Sequence, residues 1–260
     1  MNSSQASLKN KLRSRSLIFG GWISFYHPSI AEIFSRISVD FIAIDMEHTT
    51  ISLEQAQRII ASTQSNNIPC LPRPVSSSND ITKPLLDSGA DGIIYPLISS
   101  IDEVNHLVSI NKFPPLGKRT YGVNRAHSYG FDFDNYISNW NDSSIIIAQI
   151  ESIDAVNNID SILSSGHLDG VMVGPYDISG SLGVPGQTQH PDVSRASKIV
   201  INACKDRGIS CGTQIADCNS NTVSKAIDAG YNFVILSSDL FVLWNWSASM
   251  NSLISSLKVS

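Results

Sequence analysis

Eight apolar runs of strand length recur along the 260-residue chain, and each is followed by a stretch with helical periodicity. The runs are continuous rather than alternating, as expected for strands that helices cover on both faces. Eight such units in about 250 residues predict an α/β fold, the (β/α)8 or TIM barrel. A doubly wound sheet is the alternative, but it usually has fewer strands, and no G-x-G-x-x-G segment follows the first run. The predicted strands are Ile18–Phe25, Phe41–Asp45, Pro69–Arg73, Gly92–Leu97, Ile145–Ile150, Gly170–Val173, Ser210–Ile215 and Phe233–Leu236.

Composition indicates a single domain over residues 1–260, because no shift in composition marks a boundary. A short N-terminal helix with Leu8 and Leu12 on its apolar face is expected to precede the first strand. A net charge of −5 argues against a nucleic-acid partner. The longest apolar runs fall short of the roughly 18 residues that predict a membrane span. The four cysteines form no C-x-x-C pair, which favours reduced thiols in a cytoplasmic protein.

One connection, residues 111–144, is much longer than an ordinary barrel loop. Long connections in compact domains are often functional elements. We therefore expect this insertion to contribute to the active site.

Carboxylates follow two consecutive predicted strands, Glu151 after the fifth and Asp177 after the sixth. Neighbouring strands lie about 4.8 Å apart, so the two side chains can share one divalent cation. Mg²⁺ and Mn²⁺ commonly take one or two protein carboxylates and leave positions for water and substrate. The alternative is that both acids cap helices.

Two further strand ends carry polar residues that suit acid–base chemistry. Asp45, Glu47 and His48 follow the second strand, and a histidine near a carboxylate can act as a general base. The alternative is a loop histidine with no chemical role. Arg73, between two prolines, ends the third strand and suits an anionic substrate or a developing oxyanion. The alternative for Arg73 is a salt bridge to one of the same acids.

The lysines argue against Schiff-base chemistry, which needs a desolvated lysine in the active site. All of them fall in predicted helices, loops or the N-terminal tail, and none ends a predicted strand. This distribution favours a carbanion stabilised by a metal ion.

Taken together, these residues resemble the HpcH/HpaI family of metal-dependent (class II) pyruvate aldolases, over residues 8–257. The matching segments are Gly21-Trp22-Ile23-Ser24, residues 41–48 (FIAIDMEH), Arg73, residues 86–92 (LDSGADG), Gly117-Lys118-Arg119, Gln149-Ile150-Glu151 and residues 173–183 (VGPYDISGSLG). Departures from the family pattern are Pro72, where an aliphatic residue is usual, and His27-Pro28, where small residues are common.

The resemblance implies reversible cleavage of a 4-hydroxy-2-oxo acid into pyruvate and an aldehyde. It implies that Glu151 and Asp177 ligate Mg²⁺ or Mn²⁺, with Co²⁺ as a further candidate. Arg73 would contact the keto oxygen, and His48, oriented by Asp45, would manage the proton of the aldol hydroxyl. The residues that it implies for substrate binding are Trp22, Gln149, Gly174, Pro175 and Tyr176.

The resemblance also implies a homo-oligomer, a hexamer built as a trimer of dimers, in which the last helix is exchanged between subunits. The apolar segment Phe241–Trp246 suits such an interface; the alternative is a last helix packed on its own chain. Polar residues of the insertion would face the aldehyde or a neighbouring subunit: Arg119, Asn124, Arg125, His127 and Tyr129.

Two other functions remain open from the sequence. One is a related lyase that keeps the metal-stabilised enolate, either a 2-oxo diacid decarboxylase or an acyl-CoA lyase. The other is a non-catalytic barrel that binds a metabolite.

Overall fold

Eight parallel strands form a nearly closed barrel in the computed structural model, which describes residues 3–258. The strands are β1 (Ile18–Ile23), β2 (Phe41–Asp45), β3 (Cys70–Arg73), β4 (Gly92–Tyr95), β5 (Ile145–Ile150), β6 (Gly170–Val173), β7 (Ser210–Ile215) and β8 (Phe233–Leu236). They pair in the order β3-β2-β1-β8-β7-β6-β5-β4. The two end strands, β3 and β4, lie side by side without a ladder, and Asp91 N donates to Cys70 O at 3.0 Å at their amino-terminal ends. The prediction of a (β/α)8 barrel is confirmed, and a doubly wound sheet is excluded.

Helices cover the outside of the barrel. They are α1 (Ser3–Arg13), α2 (Pro28–Phe34), α3 (Leu53–Ser65), α4 (Asn79–Asp87), α5 (Ile101–Asn111), α6 (Phe133–Ser143), α7 (Ile153–Asn157), α8 (Ile159–Leu163), α9 (Pro175–Ser181), α10 (Pro191–Asp206), α11 (Ser220–Ala229) and α12 (Asp239–Lys258). None of the described helices is both long and apolar enough to cross a membrane.

Several helix boundaries follow from capping side chains. Ser52 begins α3 with a capping box, in which its hydroxyl accepts from Gln55 N and the Gln55 side chain accepts from Ser52 N. The segment after β5 forms two helices, α7 and α8, which meet at Asn158, whose side chain donates to Ser99 O at 3.0 Å. Periodicity alone does not reveal this break, because the apolar spacing continues through it.

The apolar core has an inner and an outer layer. The outer layer lies between strands and helices, and the inner layer fills the barrel with side chains such as Phe41, Leu71 and Phe233. Leu8 and Leu12 of α1 belong to the inner layer and are 2% and 1% exposed. Burial of a leucine side chain contributes about 1.5–3 kcal/mol. Helix α1 thus closes the amino-terminal end of the barrel with these two leucines.

The 111–144 insertion also lies at the amino-terminal end. It follows helix α5 rather than a strand, and it contains a 3-10 helix (Arg125–Gly130) and α6. Arg119 anchors it through an ion pair with Asp87 at 2.8 Å, while its guanidinium lies 4.7 Å from the ring centres of Phe113 and Trp140. The expectation that this insertion belongs to the active site of its own chain is therefore wrong, because the candidate residues end strands at the opposite side.

Two lysines are buried, although they lie outside the strands as the sequence predicts. Lys9 lies in α1 and Lys112 directly after α5, and each is only 4% exposed. Both lie at the amino-terminal end, where Lys9 pairs with Asp169 at 2.9 Å. Their burial does not bring a lysine to the strand ends where the candidate site is found.

Candidate functional site

Arg73, the last residue of β3, is the centre of a polar cluster at the carboxyl ends of the strands. Its guanidinium lies 3.0 Å from Asp45 Oδ1 and 3.1 Å from Glu47 Oε2, and it donates to Gln149 Oε1 at 3.3 Å. It also stacks over the Trp22 ring at 4.7 Å. Pro72 pairs normally with Ile44 in the sheet, so this departure from the family pattern leaves Arg73 directed into the cluster.

Glu151 is fixed by two hydrogen bonds directly beyond β5. Its Oε1 accepts from Leu97 N at 2.6 Å, and its Oε2 accepts from Gln149 Nε2 at 2.5 Å. The pKa of Glu151 is raised to about 7, chiefly by burial and also by the carboxylates of Glu47 and Asp177, against the lowering effects of Leu97 N–H and Arg73. A carboxyl group in this state readily exchanges its proton for a cation.

The carboxylates of Glu151 and Asp177 both lie beside Gly174. The register of β5 and β6 pairs Ile150 with Val173, so Glu151 and Gly174 come next on neighbouring strands. A Cβ at Gly174 would lie 3.4 Å from Glu151 Oε2 and 3.5 Å from Asp177 Oδ2. The two carboxylates therefore share one edge of the barrel, as the strand-end argument predicts.

Asp45 and Glu47 contact different parts of His48. Asp45 Oδ1 accepts from the backbone amides of Glu47 and His48, at 3.1 and 3.2 Å. The His48 ring is 66% exposed, and its Nε2 lies 3.5 Å from Glu47 Oε2. Among these residues, Asp45 orients the His48 backbone, whereas Glu47 is the carboxylate beside the ring.

Glu47 Oε2 is buried and makes no hydrogen bond within the described residues, despite its charge contact with Arg73. Burial raises the pKa of Glu47, and Asp45 and Asp177 add to that effect while Arg73 and His48 oppose it. A buried carboxylate oxygen without a donor is costly, which favours a further cation, proton or ligand donor at this position.

Other implied substrate-binding residues border the cluster to different extents. Trp22 is buried beneath Arg73, and Gly174 adjoins both candidate metal ligands. Pro175 begins α9, while the Tyr176 side chain is 68% exposed. His27 caps α2 by accepting from Ser29 N at 3.2 Å, so its ring serves the helix start.

Leu97 contributes to the site through its backbone, and the sequence patterns do not indicate it as a site residue. Its backbone has φ of +59°, in the left-handed region that a branched side chain rarely occupies, and this conformation accompanies the hydrogen bond to Glu151. A backbone donor carries no residue-type signal, so only the structure reveals this contact.

The donor set suits a cation held by two protein ligands. The cluster holds four carboxylates (Asp45, Glu47, Glu151 and Asp177) and one guanidinium, which pairs with Asp45 and Glu47, so negative charge is in excess. Within residues 3–258, no group of three or more His, Cys, Asp or Glu side chains has the arrangement of a metal site. A pair of carboxylates is the usual protein contribution to a Mg²⁺ site, whereas zinc sites generally use three or four side chains.

The comparisons with known proteins agree with this fold and cluster. A family model described as HpcH/HpaI aldolase/citrate lyase matches residues 19–245, and the chain belongs to this family. It is 32% identical over 247 residues to the hydroxypyruvate/pyruvate aldolase of Roseobacter denitrificans, which covers 94% of this chain and 95% of that protein. It is also 32% identical over 233 residues to the 2-keto-3-deoxy-L-rhamnonate aldolase of Salmonella typhi, with 89% and 86% covered.

Among solved structures, an HpcH/HpaI aldolase from Desulfitobacterium hafniense DCB-2 superposes with a TM-score of 0.88 at 28% identity and covers 95% of this chain and 96% of that one. A family protein from Burkholderia cenocepacia J2315 gives 0.88 at 29% identity, with 96% and 99% covered. The prediction of an enzyme of the metal-dependent aldolase class is thereby confirmed.

Proposed function

We propose that this enzyme reversibly cleaves a 4-hydroxy-2-oxo acid into pyruvate and an aldehyde. The observation that carries the proposal is the convergence of Arg73 with Gln149 and the Glu151–Asp177 pair at one edge of the barrel. The relatives named as hydroxypyruvate/pyruvate and 2-keto-3-deoxy-L-rhamnonate aldolases support a pyruvate-type substrate.

Glu151 and Asp177 are the residues that would hold a divalent cation, with Mg²⁺ or Mn²⁺ preferred and Co²⁺ as a further candidate. Two carboxylates within 3.5 Å of the Gly174 Cβ position, and a buried Glu47 oxygen that accepts no hydrogen bond from the described residues, support this assignment. When bound, the cation would supply Lewis-acid stabilisation of negative charge on the keto oxygen.

Arg73 would offset the same charge from the other side. Its orientation is fixed by Asp45, Gln149 and the Trp22 ring, so little reorganisation is needed when charge develops. Gln149 would fix the relative positions of Glu151 and Arg73, because its side-chain NH2 donates to Glu151 and its side-chain carbonyl accepts from Arg73.

His48 would take the proton of the aldol hydroxyl, through water, when the carbon–carbon bond breaks. Its exposed ring opens toward solvent, and Glu47 beside it would stabilise the imidazolium that results. In the addition direction, the same ring would return the proton to the new alkoxide. The peptide groups of Gly174, Pro175 and Tyr176 would border the pyruvate carboxylate.

The direct test is pyruvate release from 4-hydroxy-2-oxo acids, with Mg²⁺ or Mn²⁺ present and after complete removal by EDTA. We expect activity only with metal. Activity that survives metal removal would refute the mechanism. Steady decarboxylation of oxaloacetate without aldolase activity would support the related lyase, and metal-dependent pyruvate binding without turnover would support a binding barrel.

We further propose a homo-oligomer in which α12 is exchanged between subunits. Apart from Asp239, no residue of α12 is buried, and Trp244 and Trp246 are 61% and 62% exposed. An apolar surface of this kind is typical of a subunit interface. Light scattering should give a hexamer, and a monomer at micromolar concentration would contradict the assembly.

We also propose a cytoplasmic location, with which the three buried free cysteines are compatible.

A further inference from the structure

A polar cavity lies at the amino-terminal end of the barrel, opposite the candidate active site. Its volume is about 280 Å³, and it is bordered by α1, α6 and the turns before β6 and β7. The charged and titratable residues that line it are Lys9, Arg13, Lys112, Asp142, His167 and Asp169.

The ammonium groups of Lys9 and Lys112 meet at one carbonyl oxygen in this cavity wall. Lys9 Nζ donates to Ser144 O at 2.5 Å, and Lys112 Nζ donates to the same oxygen at 3.2 Å. Lys9 is compensated by its ion pair with Asp169 at 2.9 Å. Two like charges that share one acceptor repel each other, so the second ammonium needs its own compensation.

Lys112 has no such partner among the described residues. Its other hydrogen bonds go to Asn141 O at 2.7 Å and Ser144 Oγ at 2.6 Å, which are both uncharged. Lysine side chains are seldom this buried unless they are paired with a carboxylate. Lys112 Nζ therefore has three hydrogen-bond acceptors but no carboxylate that pairs with its positive charge.

Arg13 adds a second cation at the rim of the cavity. It is exposed and forms no ion pair or hydrogen bond within residues 3–258, so its guanidinium is available to a ligand. After the Lys9–Asp169 pair is set aside, Lys112 and Arg13 face only Asp142, and His167 adds a positive charge when it is protonated.

We propose that this cavity binds a small oxyanion, held directly by Arg13 and stabilised by the charge of Lys112 behind it. A volume of about 280 Å³ accommodates an anion of the size of sulfate, phosphate or a short dicarboxylate. The site is separate from the proposed aldolase chemistry and does not depend on it.

Binding at this cavity should be linked to protonation of Lys112. The pKa of Lys112 is lowered to about 7, chiefly by burial and also by Lys9 and Arg13, whereas Asp169 and Asp142 oppose this shift. An anion favours the ammonium form, so binding takes up a proton near neutral pH. Affinity should therefore fall by about tenfold between pH 6.5 and 8.5.

The experiment is isothermal titration of the metal-loaded protein with sulfate, whose charge is constant over this pH range, in two buffers of different ionisation enthalpy. A parallel titration with succinate distinguishes a site for tetrahedral oxyanions from one for dicarboxylates. The variants are Lys112→Met and Arg13→Gln, with Lys118→Gln as the control, since Lys118 is exposed on the same insertion outside the cavity.

We expect sulfate or succinate to bind with proton uptake, and each cavity variant to weaken binding at least tenfold while the control leaves it unchanged. Arg13 is exposed, so Arg13→Gln remains informative if Lys112→Met fails to fold. Absence of binding, affinity that is independent of pH, or equal affinity in Arg13→Gln and the parent protein would overturn the proposal.

Discussion

The backbone N–H of Leu97 donates to Glu151 Oε1 at 2.6 Å, across the β4–β5 edge of the barrel. Leu97 reaches this position with a left-handed backbone, a conformation that costs about 1–2 kcal/mol for a residue with a Cβ. With Gln149 on the other oxygen, the Glu151 carboxylate is held in one orientation before any ligand arrives. Leu97 is therefore a positioning residue for the proposed metal site.

Removal of either candidate ligand should weaken metal binding. Glu151→Gln and Asp177→Asn retain shape but lose one negative charge, and we expect each to reduce Mn²⁺ affinity by at least tenfold. Calorimetric titration with Mn²⁺ measures the effect. Glu54→Gln is the control, since its side chain is 75% exposed on α3. Unchanged affinity in both ligand variants would show that the cation binds elsewhere.

Metal affinity should depend on pH through Glu151. Because its pKa is raised to about 7, a proton competes with the cation below that pH. Affinity should rise by up to about tenfold per pH unit below 7 and level off above it. In the metal-free protein, the free energy of unfolding falls as pH rises from 4.5 to 7, because the folded state holds the Glu151 proton more tightly than the unfolded state. Titrations from pH 5.5 to 8.5 test this, and a flat profile would contradict it.

A methyl group at Gly174 should disturb the site without unfolding the protein. Its Cβ would lie 3.0 Å from Glu151 Cβ, so the carboxylate has to shift. We expect Gly174→Ala to weaken Mn²⁺ binding several-fold. Gly180→Ala is a matched control in α9, the helix that begins directly after Gly174, and a Cβ there would meet no atom within 4 Å. Equal affinities in the two variants would argue against a metal beside Gly174.

Arg73→Lys should impair the reaction more than substrate binding. Lysine keeps the charge but cannot contact Asp45, Glu47 and Gln149 at once, so its position is not fixed. We expect kcat to fall about 100-fold or more. Steady-state kinetics with Arg195→Lys, on an exposed side chain, provide the comparison. A kcat near that of the parent enzyme would remove Arg73 from the mechanism.

Arg119→Met should destabilise the fold and leave the strand-end site intact. The Arg119 side chain is 1% exposed, and its loss leaves Asp87 without its partner and the surrounding rings without their cation. We expect a loss of about 3 kcal/mol in the free energy of unfolding. Urea denaturation measures it, with Arg195→Met as the control. A loss below about 0.5 kcal/mol would show that Arg119 does not anchor the insertion.

The sequence predicts the barrel well because each β/α unit carries its own local signals. The predicted limits of β2, β5, β6, β7 and β8 agree with the structure, since each is a run bounded by turn or capping residues. The strand-end position of Arg73 and Glu151 follows from the same pattern, because all strands of a parallel barrel end at one edge.

The features that the sequence does not predict depend on the end of the barrel at which a segment lies. The 111–144 insertion was assigned to the active site by its length, but length does not show whether a connection follows a strand or a helix. The burial of Lys9 and Lys112 depends on α1 crossing the barrel end, a tertiary contact without a periodic signal. Likewise, the turn after β2 places the His48 ring beside Glu47 while the His48 backbone amide donates to Asp45.

Within residues 3–258, β3 and β4 are joined by a backbone hydrogen bond at their amino-terminal ends and are unpaired toward their carboxyl-terminal ends. The barrel wall can therefore widen at that edge without loss of a hydrogen bond from the sheet ladder. Arg73 ends β3, and Leu97 lies just beyond β4, so the two stand on opposite sides of this gap. A small separation of the two strands would stretch the Arg73–Gln149 hydrogen bond across the gap, whereas the Glu151 carboxylate would move together with β4 and β5.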